Sequence, residues 1–139
     1  MENGSNKAYL GIDWGASDVG VALADGETKM AFTYVTLSND KKLLQRLAEI
    51  IEREDVGTVV IGIPSHVNRE EIEYAGERLG EALQKTINGI RVEYQNEMFT
   101  TKMAQANLIE RGAKRVSSHD DEEAARIILQ EWLDKTGIS

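Results

Sequence analysis

Three acidic residues stand where a carboxylate needs a physical reason. Asp13 closes an otherwise apolar run between Ile12 and Trp14, a place where an ionised side chain loses hydration that only donors or a cation replace. Glu97 follows a later apolar run and precedes the pair Thr100-Thr101, which puts it at a strand-to-helix corner of the kind that carries functional groups in α/β folds. Asp121 belongs to a run of four acids, Asp120 to Glu123, that fills one helical turn. Spacing separates it from its neighbours: Ala125 lies four residues on and Ile128 seven, so Asp121 shares a helical face with Ala124, Ala125, Ile128 and Trp132.

Converging at one edge of a sheet, these acids would form a cluster of hard oxygen ligands suited to Mg²⁺ or Mn²⁺. Two such ions hydrolyse a phosphodiester by acidifying the attacking water and stabilising the departing 3′ oxygen; a single ion with its waters is the other arrangement. Without metal the carboxylates repel, so metal binding should depend strongly on pH. Each acid also has a bland reading. Asp13 can be a turn residue accepting amides around Gly15, and Glu97 a solvated acid beside a helix N-terminus. Asp120, Glu122 and Glu123 are expected to be solvated acids favoured by the helix dipole. His66 and His119 are expected to be exposed, and Trp14 and Trp132 to be core residues rather than base-stacking ones, since each lies in an apolar pattern.

Charge and composition narrow the setting. The net charge of -8 argues against general adhesion to nucleic acid, because phosphate affinity comes largely from Lys and Arg. A local exception is Met98 to His119, where Lys102, Arg111, Lys114 and Arg115 face one acid, Glu110. With Thr100 and Thr101, those four cations are the expected contacts to a nucleic-acid backbone beside the metal site; a solvated face is the alternative. There is no cysteine, which excludes thiolate metal sites and cysteine nucleophiles. No apolar run approaches the ~20 residues that cross a bilayer, and the head is polar, so a cytoplasmic location without membrane contact is expected. The 139 residues suit a single domain over 1–139, with residues 1–7 as a flexible head.

The elements that would position the acids follow from periodicity. Tyr9 to Trp14, Val19 to Ala24 and Ala31 to Leu37 read as three strands joined by short turns, hence antiparallel. A helix is predicted from Ser38 to about Glu54, with Leu43, Leu44, Leu47, Ile50 and Ile51 on one side. Val56 to Ile63 is nearly all apolar and β-branched, as a central strand buried on both faces should be. Asn68 and Glu71 resemble a capping box before a stripe of Ile72, Ala75, Leu79, Leu83 and Ile87 that stops at Asn88-Gly89. Ile90 to Tyr94 reads as a fifth strand, Thr100 or Thr101 as the cap of a helix ending at Gly112, and Ser118 as the cap of the last helix. The implied α/β architecture is a mixed five-stranded sheet with helices on both faces, an order that resembles the ribonuclease-H-like fold.

The motifs GIDWGASDVGVALAD, VVIGIP, NEMFTT and DEEAARIILQEWL, in this order, resemble those of the YqgF/RuvX family across nearly the whole chain. The resemblance implies a metal-dependent endonuclease acting on structured nucleic acid, either the 5′ end of precursor 16S ribosomal RNA or a Holliday junction; a symmetric junction would further suggest a homodimer. Asp13 matches the family's first-strand acid, Glu97 the acid of its D-E-R-x-T-T corner and Asp121 the acid of its D-x-x-A-A helix. Departures accompany the matches. Asp18 stands where the family carries Arg, and Asn96 and Met98 replace the Asp and Arg beside Glu97, so two cationic positions are lost. An arginine near a scissile phosphate can hold it bidentately, and its loss should weaken or redirect substrate binding.

Two other readings compete. The first-strand G-x-D-x-G also resembles the phosphate loop of the actin, Hsp70 and sugar-kinase ATPases, but those close two such domains around the nucleotide. A non-catalytic nucleic-acid-binding module of the same fold fits the missing arginines. It leaves the three acids unexplained, because clustered negative charge repels phosphate.

Overall fold

The computed structural model describes residues 7–63, 69–96 and 118–136. One sheet contains β1 (Ala8–Asp13), β2 (Asp18–Ala24), β3 (Ala31–Ser38), β4 (Val56–Ile63) and β5 (Arg91–Asn96), in the spatial order β3-β2-β1-β4-β5. The helices among the described residues are α1 (Leu43–Arg53), α2 (Arg69–Thr86) and α3 (Ser118–Thr136). β1, β2 and β3 pair antiparallel, while β4 runs parallel to both β1 and β5. Short turns reverse the chain between the first strands, and helical crossovers return it in the same direction for the later ones.

Alternation along each strand sorts residues onto two faces. Leu10 and Ile12 of β1, Val19, Val21 and Leu23 of β2, and Val59 and Ile61 of β4 point one way. They bury against Leu43, Leu47, Ile50 and Ile51 of α1 and Leu79 and Leu83 of α2. Ala22, Ala24 and Val60 point the other way, onto Ala125, Ile128, Leu129, Trp132 and Leu133 of α3. The sheet is therefore covered on both faces, as its patterning predicts.

Strand boundaries differ from expectation by one or two residues, and two elements differ in ways that bear on the site. α1 begins at Leu43, not at Ser38, which is the last residue of β3 and pairs with Asp18. The Asp40 carboxylate accepts the Lys42 amide at 2.9 Å and its carbonyl accepts the Leu43 amide at 3.1 Å, a turn that competes with the helix for the same backbone groups. β5 runs from Arg91 to Asn96 instead of Ile90 to Tyr94, which places Gln95 inside the sheet. The stop at Asn88-Gly89 is as expected, with Gly89 at φ 86°, a left-handed conformation that glycine adopts at little cost.

Of the expected head 1–7, only Lys7 lies within the described residues; its Nζ ion-pairs with Asp55 at 2.7 Å. The proposed Asn68–Glu71 box, at Asn68, and the helix ending at Gly112 lie outside them.

Candidate functional site

The strand registers align one residue from each strand in a row across the end of the sheet: Thr36, Gly20, Asp13, Gly62 and Gln95. Asp13 is half-buried at the centre of this row, between two glycines that add no side chain. It shares a face with Gly11, two residues earlier, and that face is covered by α3: a Cβ at Gly11 would lie 2.7 Å from the Leu129 Cβ and 2.9 Å from the Ala125 carbonyl oxygen.

Gly20, the register partner of Asp13, meets Asp121. A Cβ at Gly20 would lie 2.0 Å from the Asp121 carbonyl oxygen, 2.4 Å from its carbonyl carbon and 3.0 Å from its Cβ. The absence of a side chain at Gly20 is thus what allows the first turn of α3 to rest against the sheet beside Asp13. Asp121 is half-buried, and Ala124, Ala125, Ile128 and Trp132 beyond it are buried, so its helical face is the one expected from spacing. The structure brings Asp13 and Asp121 to one corner.

Two other acids of the run, Glu122 and Glu123, behave differently from expectation, while the side chain of Asp120 lies outside those described. Glu122 and Glu123 are half-buried rather than solvated. Thr36 Oγ1 donates to Glu122 Oε2 at 3.2 Å, tying the start of α3 to β3. Arg126 donates to both Glu123 oxygens at 3.0 and 2.6 Å, and this bond holds the guanidinium pKa above its ordinary value. Helix-dipole reasoning sees only the N-terminal position of these acids and has no information on what the helix docks against.

Gln95, at the far end of the row, is not singled out by the sequence, where the fifth strand is expected to end at Tyr94. It is 4% exposed, and its Oε1 has no hydrogen-bond partner among the described residues. It borders a cleft with Glu131, Asp134 and Lys135, towards the other end of α3 from Asp121. Trp132 is a core residue as expected, its ring 6.1 Å from that of Tyr9. Asp18, where a cation was missed, is exposed at the start of β2.

Glu97 and the expected backbone contacts Thr100, Thr101, Lys102, Arg111, Lys114 and Arg115 lie outside the described residues, as does His66. Among the described residues no group of three His, Cys, Asp or Glu is placed to hold a metal ion. Asp13 and Asp121 are two hard oxygen donors, the class that Mg²⁺ and Mn²⁺ take. Among the described residues no helix is long and apolar enough to cross a membrane.

Comparison with known proteins bears on this corner. The model of the RuvX family, described as Holliday junction resolvase, matches residues 7–135. A Limosilactobacillus reuteri protein named "Putative pre-16S rRNA nuclease" is 31% identical over 138 residues, 92% of this chain and 93% of the relative. One of the same name from Staphylococcus carnosus is 35% identical over 134 residues, 90% of this chain and 94% of the relative. In fold, the chain is similar to Thermus thermophilus RuvC, solved in complex with a Holliday junction substrate, at a TM-score of 0.60 with 19% identity over 95% of this chain and 97% of that one. The fowlpox virus Holliday junction resolvase gives 0.58 with 10% identity over 92% and 99%. The architecture is ribonuclease-H-like, and the chain belongs to the RuvX family of nucleases.

Proposed function

We propose that this nuclease cuts precursor 16S ribosomal RNA with a divalent cation, Mg²⁺ or Mn²⁺, held by Asp13, Asp121 and Glu97. The observation that carries the reading is the contact between Gly20 and the backbone of Asp121, which joins the last helix to the register partner of Asp13. The bound cation would supply acidification of water and charge stabilisation of the departing oxygen. The chain's own part is placement. Asp13 is fixed by the strand ladder, Asp121 by the seating of α3 on Gly20, and the Thr36–Glu122 bond holds that helix end on β3.

Thr100, Thr101, Lys102, Arg111, Lys114 and Arg115 are proposed to hold the RNA backbone, giving a chain of net charge -8 a local region of attraction for phosphate. RNA is preferred to a DNA junction because relatives of 31% and 35% identity over nine-tenths of the chain carry the ribosomal name, whereas the junction complex is similar in fold alone. A cytoplasmic location goes with that substrate, and a homodimer would be required only for paired cuts in a symmetric junction.

The test compares a 16S precursor with a four-way DNA junction, each with Mg²⁺ or Mn²⁺, using wild type and Asp13→Asn. Metal-dependent cleavage of the precursor that disappears in Asp13→Asn is the expected result. Cleavage that persists without Asp13 would sink the site, and cleavage of the junction alone would redirect the substrate.

A further inference from the structure

Trp14 follows Asp13 in the chain, and its surroundings give it a second use besides packing. It is half-buried against the α1/α2 side of the core. There it lines a cavity of about 310 Å³ together with Leu43 and Leu44 of α1, Leu79 of α2, and two cations, Lys41 and Arg78. Asn39 Nδ2 donates to the Gly15 carbonyl at 2.7 Å, fastening the Trp14-Gly15 segment to the loop that forms one wall. The floor is apolar and aromatic, and the rim is cationic.

The rim charges are available. Lys7, Arg46, Arg53, Arg91 and Arg126 each form an ion pair, whereas among the described residues neither Lys41 nor Arg78 is in one, and both are exposed. Asp40, the rim acid, is engaged by Arg46 at 3.3 Å. In a chain of net charge -8, two cations in no ion pair among the described residues, beside an indole, fit a ligand with a flat ring and an attached anion. Asp13 and Trp14 are consecutive at the end of β1 with side chains on opposite faces of the sheet, so a strand with a phosphate at Asp13 would bring a neighbouring base to Trp14 by passing around the end of β1.

We propose that this groove binds one unpaired nucleotide of the substrate strand, its base against the Trp14 indole and its phosphate between Lys41 and Arg78. The inference rests on Asp13 marking the cleavage site. Only an unpaired base can present its face to an indole, because a paired one is covered by its stacked neighbours. The groove therefore selects substrates with a single-stranded flank next to the cut. It would add a role to Trp14, which packs against the core as expected.

Trp132→Phe leaves Trp14 as the sole tryptophan, so its emission reports the groove. A hexamer of riboadenylate, titrated without divalent metal, is expected to quench that emission saturably, and a blunt RNA duplex to quench it far less. Lys41→Gln with Arg78→Gln should weaken hexamer binding roughly tenfold and reduce the slope of log affinity against log salt by about 1. Trp14→Leu, with an unchanged circular dichroism spectrum, should weaken binding of a labelled hexamer by about tenfold in anisotropy.

Unquenched emission while the hexamer binds, or binding indifferent to the Lys41/Arg78 pair, overturns the groove even if Trp14→Leu fails to fold. Self-association that Trp14→Leu abolishes would assign the groove to a second copy and also overturn it. Failure of the cleavage site is separate: RNA cleavage with Mg²⁺ that survives Asp13→Asn sinks that reading, whereas cleavage lost in Asp13→Asn but unaltered in Trp14→Leu sinks the groove alone.

Discussion

On the α1/α2 face, β1 and β2 present Leu10, Ile12, Val19, Val21 and Leu23, whereas on the α3 face the same strands present Gly11, Asp13, Gly20, Ala22 and Ala24. Large side chains on the first face keep the helices at a distance and can repack when one of them changes. Small residues on the second let α3 lie almost on the strand backbone, with no side chain between to absorb a displacement. Precision at the carboxylates thus comes from the face with the least material, and stability is shared by both.

The sharpest way to break this contrast is to add one carbon on the α3 face and, separately, to remove two on the α1/α2 face. Gly20→Ala puts a Cβ where the Asp121 carbonyl sits, so α3 must shift. RNA cleavage should fall by about 100-fold, since a displacement near 1 Å is enough for that loss. Val21→Ala, one residue on and facing the other way, should lower the melting temperature yet leave cleavage per folded molecule within about threefold. Equal losses of activity in the two variants would erase the distinction between the faces.

Next in size are two leucine truncations at fully buried positions, Leu47 on α1 and Leu129 on α3. Each should cost about 2–5 kcal/mol in urea unfolding. Only Leu129→Ala should also weaken Mn²⁺ binding under conditions where the protein stays folded, because only that helix carries Asp121.

A smaller effect is expected from Thr36→Val, which removes the 3.2 Å bond to Glu122 at nearly constant shape. A loss of about 1 kcal/mol of stability is expected, with Mn²⁺ affinity reduced a few-fold. A Mn²⁺ isotherm identical to wild type would show that the Gly20 contact positions Asp121 unaided.

The least effect belongs to the opposite end of the sheet, at the turn between β2 and β3. There the Asp25 carboxylate accepts the amides of Thr28 and Glu27 at 3.0 and 3.1 Å. These bonds, Thr28 first, hold its pKa below 3.8. Because the folded value is the lower one, the turn's contribution is present above the unfolded pKa and is lost as pH falls through the folded one. Nuclear magnetic resonance titration of the Thr28 amide should show a midpoint below 3.8, and a midpoint above it would mean the turn opens before the carboxylate protonates.

Much of this arrangement was legible in the sequence, for physical reasons. The runs Tyr9 to Trp14 and Val56 to Ile63 are short, mostly apolar and bounded by turn residues, which marks buried strands rather than helices, and the 3.6-residue spacing after Asp121 selects its face without any knowledge of partners. What escaped depends on contacts distant in the chain. A glycine inside a strand has many uses, so Gly20 acquires its meaning only when Asp121 is found on top of it. Glu122 looks like any helix-start acid until Thr36 is opposite. The late start of α1 reflects Asp40 taking the Lys42 amide, a local competition that helical periodicity does not register. Glu97 was singled out by its corner and by motif, and it lies outside the described residues.

The seating of α3 on Gly20 also has a consequence for the order in which the working protein comes into being. Asp13 belongs to the first strand and Asp121 to a helix that follows all five strands in the chain. As the polypeptide leaves the ribosome, the five strands, α1 and α2 emerge before α3. The corner acquires Asp121 only when α3 arrives. On the proposed reading, a nascent chain surrounded by ribosomal RNA is harmless to it, and the capacity to cut is conferred by a late docking step rather than by a separate inhibitor.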